Sequence, residues 1–67
     1  MSELKDAAAA VRARRLRERI AAKGLTLAEF ARRAGFTRNI MYGLAKGRAP
    51  KSAEATTIDS VLGRDQG

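Results

Sequence analysis

Glycines at positions 24, 35, 47 and 63 punctuate this chain, and their placement limits it to a succession of short elements. After the first three the sequence restarts at a small hydroxyl residue, Thr26, Thr37 and Ser52, each suited to accept from the free N–H groups at the start of a helix. The pattern predicts an all-α chain of four to five short helices.

Each stretch supports that reading. Asp6 is placed to cap a first helix over Ala7–Ala22, where Ala9, Ala13, Leu16 and Ile20 fall on one face. Val11 lies off that stripe and could form a second, shorter strip with Leu4 and Ala8. Thr26 and Glu29 have the spacing of a capping box ahead of a helix over Leu27–Ala34, with Leu27, Phe30, Ala31 and Ala34 directed inward. Gly35 allows a tight turn there. Thr37 then caps a helix over Arg38–Ala45, with Met41 and Leu44 inward and Ile40 partly buried. Pro50 bars its continuation past Gly47. Ser52 caps a fourth helix, Ala53–Leu62, with Glu54 in the first turn, where the helix dipole favours an anion. Its apolar face is Ala55, Ile58, Val61 and Leu62. Residues 1–6 read as a flexible arm and 63–67 as a fraying tail of a single domain spanning 1–67.

Composition narrows the function. With 67 residues, the domain buries only about 60% of its extended surface, so the core is small. There is no cysteine and no histidine, which removes disulfides, thiolate chemistry and the commonest general base and metal ligand. The seven acids are scattered. No catalytic residue, metal site, cofactor or small-molecule ligand is expected. The N-terminal residues form no secretory h-region, and no run approaches the ~18 apolar residues of a membrane span. A cytoplasmic, nucleoid-associated protein is the expectation.

The net charge of +7 is concentrated. Twelve basic residues and two acids lie between Arg12 and Lys51, while the flanks carry two basic residues and five acids. A basic middle with acidic ends is the footprint of a polyanion binder. The arginine-rich first helix could lie on an anionic membrane, but its apolar stripe is mostly alanine and lacks an aromatic anchor. Packing of that stripe on the other helices, with some arginines facing phosphate, fits better.

Two short helices joined by a turn of about three residues at Gly35 form the pattern of a helix-turn-helix. In detail, Leu25-Thr26-Leu27-Ala28-Glu29-Phe30-Ala31-Arg32-Arg33-Ala34-Gly35-Phe36-Thr37-Arg38 resembles the opening of the Cro/lambda-repressor-like (XRE) family. Asn39 through Pro50 and Ile58-Asp59-Ser60-Val61-Leu62-Gly63 resemble its next two segments, with Ala31, Gly35 and Gly47 as the strongest anchors. The resemblance extends over about Leu16–Gly63 and implies a compact lambda-repressor-like bundle. There are departures. Leu27 stands where the family has glutamine, and Ala45 and Ile20 stand where many relatives have an ion-paired glutamate and arginine. An apolar contact is the expected replacement.

By position, the resemblance puts Thr37, Arg38, Asn39 and Gly43 on the groove-facing surface. Arginine suits guanine O6 and N7, and asparagine suits adenine N6 and N7. Tyr42 is expected to be exposed and to reach a base edge or a phosphate. Gly43 costs a helix about 1 kcal/mol relative to alanine and would allow close approach to DNA. Thr26, Arg32, Lys46, Arg48 and Lys51 are the phosphate-contact candidates; such contacts position a protein without reading sequence. The expected function is a small sequence-specific regulator, a repressor or autorepressor of phage, mobile-element, toxin–antitoxin or anti-CRISPR-operon type. It would bind palindromic double-stranded operators as a homodimer. A nonspecific nucleic-acid-binding module and a protein-binding antitoxin or adaptor are the alternatives.

Overall fold

A 21-residue helix, α1 (Ser2–Ala22), lies against three shorter ones, α2 (Leu27–Ala34), α3 (Arg38–Lys46) and α4 (Ser52–Leu62). The computed structural model describes residues 2–63, with side chains from Ala7 onward. The expected fraying tail therefore lies, except for Gly63, outside the described residues. No strand occurs among the described residues, and the fold is the all-α bundle that the glycine and cap pattern predicts.

Two helix starts differ from the sequence reading. The backbone of α1 is helical from Ser2, so Asp6 is an internal position and not the cap, and residues 2–6 belong to the helix. No breaker separates Ser2 from the strongly helix-forming alanines at 7–10, so nothing stops the helix at Asp6. Helix α4 begins at Ser52, with Lys51 as its N-cap. The cap works from the other side: the Lys51 backbone N–H donates to the Glu54 carboxylate at 3.0 Å. A lysine side chain has no acceptor to return the bond.

The core joins all four helices. Leu16 and Ile20 from α1, Phe30 from α2, Met41 and Leu44 from α3, and Ile58 and Leu62 from α4 form one buried cluster. Phe30 and Ile20 are fully enclosed. Small residues, Ala31, Ala34 and Ala45, close in around them and permit tight approach. Ile20 and Ala45 both belong to this apolar packing, as expected for positions that lack the charged pair. Leu27 departs from expectation. It is 37% exposed, because it is the first residue of α2 and its side of the helix runs out past the core.

α1 fixes the position of α3 through backbone contact and arginine donors. Gly47, the C-cap of α3 (φ +110°), lies so close to α1 that a Cβ there would stand 2.6 Å from the Ala9 carbonyl carbon and closer still to its oxygen. Arg12 Nε donates to the Gly47 carbonyl at 2.7 Å, and Arg17 donates to the Ala45 carbonyl at 3.0 Å. Arg19 likewise reaches the Gly63 carbonyl at 2.6 Å and pairs with Asp59 at 3.2 Å. The last carbonyls of a helix lack intrahelical partners and lie at the negative end of its dipole, so guanidinium groups are favourable there. Three of the five α1 arginines are therefore helix-end clamps.

Two glycine substitutions separate these effects. Gly35 has φ +74° but open space around its Cβ direction, so Gly35→Ala should cost only the left-handed penalty of about 1–2 kcal/mol. Gly47→Ala adds a backbone collision and should cost more than that. Urea denaturation of the two variants checks the order; equal midpoints would contradict the tight α1–α3 contact.

Candidate nucleic-acid interface

The site is built on α2, its turn and α3, and local hydrogen bonds set its shape. The Thr26 hydroxyl accepts from the Glu29 N–H at 3.1 Å, while the Thr26 N–H donates to the Glu29 carboxylate at 2.9 Å. This is the reciprocal box that the spacing predicts. At the far end of α2, the Phe36 N–H returns to the Ala31 carbonyl at 2.9 Å across Gly35, which closes the helix in a left-handed turn. Phe36 stands edge-on to Phe30, with ring centroids 5.8 Å apart and planes at 72°. That contact ties the turn to the core. Thr37 then caps α3 by accepting from the Ile40 N–H at 3.2 Å.

With Met41 and Leu44 buried, α3 turns its opposite side outward. Arg38, Asn39, Tyr42 and Lys46 are all exposed there, and Asn39, Tyr42 and Lys46 follow the i, i+3, i+7 spacing of one helical face. Tyr42 is 64% exposed, as expected. The Lys46 ammonium lies over its ring, 4.5 Å from the centroid. This cation–π contact holds a flexible charge at a defined place on the helix. It was missed in the sequence, although the i, i+4 spacing of the two residues is the signal that would have found it.

Arg38 and Tyr42 also border a groove between α2 and α3, about 560 Å³ in volume, with Arg32 on its α2 side. Leu27, Ala31, Phe36 and Met41 make it mostly apolar. Thr26 is exposed at the start of α2, and Lys51 is exposed at the start of α4. The arrangement can present a fork donor, an amide, a phenol and an ammonium along one helix face, flanked by further cations.

Gly43 and Arg48 are drawn into a different arrangement. The Arg48 side chain lies across Gly43, where an added Cβ would meet its Nε at 3.2 Å. The Arg48 guanidinium pairs with Glu54 at 3.1 Å and donates to the Ala49 carbonyl at 3.2 Å. The lack of a side chain at Gly43 thus makes room for an intramolecular strap from the α3–α4 loop to the start of α4. Nothing in the local sequence pattern signals this pair.

Both capping carboxylates titrate below their ordinary value of 4.5. For Glu29 the main cause is the Thr26 backbone N–H, and for Glu54 the Lys51 backbone N–H. Partial desolvation opposes the shift in each, while Arg32 and Arg33 assist at Glu29 and Arg48 assists at Glu54. Among the described residues no three potential metal ligands come together, and no described helix is long and apolar enough to cross a membrane.

A depressed carboxylate stabilises the fold above its unfolded pKa, and that contribution is lost as pH falls through the folded value. The urea midpoint should therefore hold near neutrality and fall as the pH drops below about 4.5. The Glu29→Gln, Glu54→Gln double variant should show a shallower acid decline. An unchanged slope would rule out these two caps as its source.

Compared with known families, residues 15–62 match the model of the Cro/C1-type HTH DNA-binding domain. No curated protein and no solved structure matches the chain.

Proposed function

The chain belongs to the Cro/C1-type helix-turn-helix DNA-binding family, and from that premise we propose that it is a sequence-specific transcriptional regulator, most simply an autorepressor. The observation that supports this reading is the exposed face of α3. Arg38, Asn39, Tyr42 and Lys46 project from a helix capped at both ends and held from behind by α1. A helix so fixed enters the major groove without ordering its backbone on binding.

In this proposal Arg38 reads guanine and Asn39 reads adenine, each by paired hydrogen bonds. Thr37 keeps its hydroxyl proton for a phosphate or a base edge, since its oxygen serves as acceptor in the cap. Tyr42 offers its phenol to a base edge, whereas Gly43 is covered by the Arg48 side chain, so close approach of the helix there requires Arg48 to move aside. Thr26, Arg32, Lys46 and Lys51 take phosphates and set register. Arg48 contributes less, because it must leave Glu54 to do so.

One short helix reads few bases, so a homodimer on an inverted repeat, with half-sites about 34 Å apart, completes the proposal. Ile58 and Leu62 are buried in the core and are not available for such an interface. Val11, 40% exposed on the side of α1 away from the core, is the better candidate.

Binding to the DNA upstream of the protein's own gene, compared with scrambled duplex at physiological salt, tests this reading. Arg38→Ala and Asn39→Ala should each relax preference at particular positions by about 1–3 kcal/mol. Lys46→Met should weaken all sequences alike and lower the log–log salt slope by about 0.9. Equal affinity for both duplexes would instead favour a nonspecific nucleic-acid-binding module.

A further inference from the structure

On the opposite side of α3 from Asn39, Tyr42 and Lys46, a second cleft opens between α1, the α3–α4 loop and α4. Its floor is Leu16, Leu44, Pro50 and Ile58, and Arg12, Arg15 and Arg19 stand along its edge. The three arginines recur at i, i+3 and i+7, so they line one side of α1. Arg12 uses only its Nε on Gly47, and Arg19 uses one terminal nitrogen on Gly63 and Asp59. Both retain donors, and Arg15 forms no ion pair among the described residues. Two of the three guanidinium groups are thus already anchored, which lowers the entropy lost when they hold a ligand.

We propose that this cleft binds a small organic phosphate, a phosphomonoester on a compact apolar body, independently of DNA. Charge and size both support that class. Three guanidinium groups set against the Asp59 carboxylate leave two positive charges in excess, which suits a phosphomonoester of about −1.5 to −2. Guanidinium groups also match phosphate oxygens in paired hydrogen bonds. The volume of about 200 Å³ is below the ~300–1,000 Å³ of pockets that enclose drug-sized ligands. A single phosphate with a small ring or a few carbons fits, with its apolar part on Leu16, Pro50 and Ile58. A duplex engaged through the exposed face of α3 lies on the other side of that helix. This departs from the sequence reading, which expects no small-molecule ligand, because the cleft exists only once α1, the loop and α4 are packed together.

Phenyl phosphate and inorganic phosphate are the probes, titrated into the intact protein at physiological ionic strength while the arginine Nε–H and backbone amide resonances are followed. Phenyl phosphate should shift Arg15 and the amides beside Pro50, and bind more tightly than inorganic phosphate. Arg15→Gln should weaken it by roughly tenfold or more, the loss of a charge-assisted bond. Arg14→Gln removes the same charge from α1 outside the cleft and should change affinity less than about twofold. Unchanged denaturation midpoints in both variants would keep folding out of the comparison. Equal weakening by the two variants, or equal affinity for the two probes, would overturn the proposal by reducing it to general attraction of anions. Displacement of phenyl phosphate by a DNA duplex would overturn it as well, by assigning the cleft to the DNA backbone. None of these outcomes depends on sequence-specific binding through α3.

Discussion

The contact between α1 and the end of α3 is the constraint on which the rest of this structure depends. A 67-residue chain has little core with which to orient a nine-residue helix. Here that helix is held at its C-terminus by backbone proximity, Ala9 against Gly47, and by two guanidinium groups on its last carbonyls. Its buried side is satisfied by Met41 and Leu44, so the opposite side is free for polar residues. The N-terminal turn, with Arg38 and Asn39, is thereby the end farthest from the clamp. Orientation from behind and freedom in front are two consequences of one packing arrangement.

The same arrangement divides the positive charge into two kinds of work. Arg12, Arg17 and Arg19 spend hydrogen bonds on helix-end carbonyls, and Arg48 is neutralised by Glu54. Arg32, Arg38, Lys46 and Lys51 remain exposed around α2, α3 and the start of α4. A uniform reading of the basic region treats all of these as a field for polyanions. The structure separates those that hydrogen-bond to helix ends or pair within the bundle from those left exposed without such a partner among the described residues. Glu29 in α2 and Glu54 in the first turn of α4 are themselves bound to N-cap backbone amides, so they complete helices.

Much of this was legible in the residues. The bounds of α2, the caps at Thr26 and Thr37, the turn at Gly35 and the inward residues of α3 and α4 all follow from signals within four positions of each other. The exposure of Arg38, Asn39 and Tyr42 agrees with the outward surface that the family resemblance implies for α3. The misjudged positions have local causes too. Asp6 reads as a cap although continuous helix formers extend α1 past it, Ser52 reads as a cap although it is the first residue of α4, and Leu27 reads as inward because periodicity does not say where a packed face ends.

By itself, then, the sequence determined the all-α class, the order of the helices, the caps of α2 and α3 and most of the residues that turn inward. These depend on hydrogen bonds between residues three or four apart and on the helical repeat, both of which act before any long-range contact forms. Only the tertiary structure decided which arginines clamp and which remain free, why Gly43 and Gly47 lack side chains, and that a cleft opens behind α3. Arg12 meets Gly47 across 35 positions and Arg19 meets Gly63 across 44, and no local pattern encodes such a meeting. It is set by the angle at which whole helices pack around Phe30 and Ile20. That angle depends on the combined shape of side chains from all four helices.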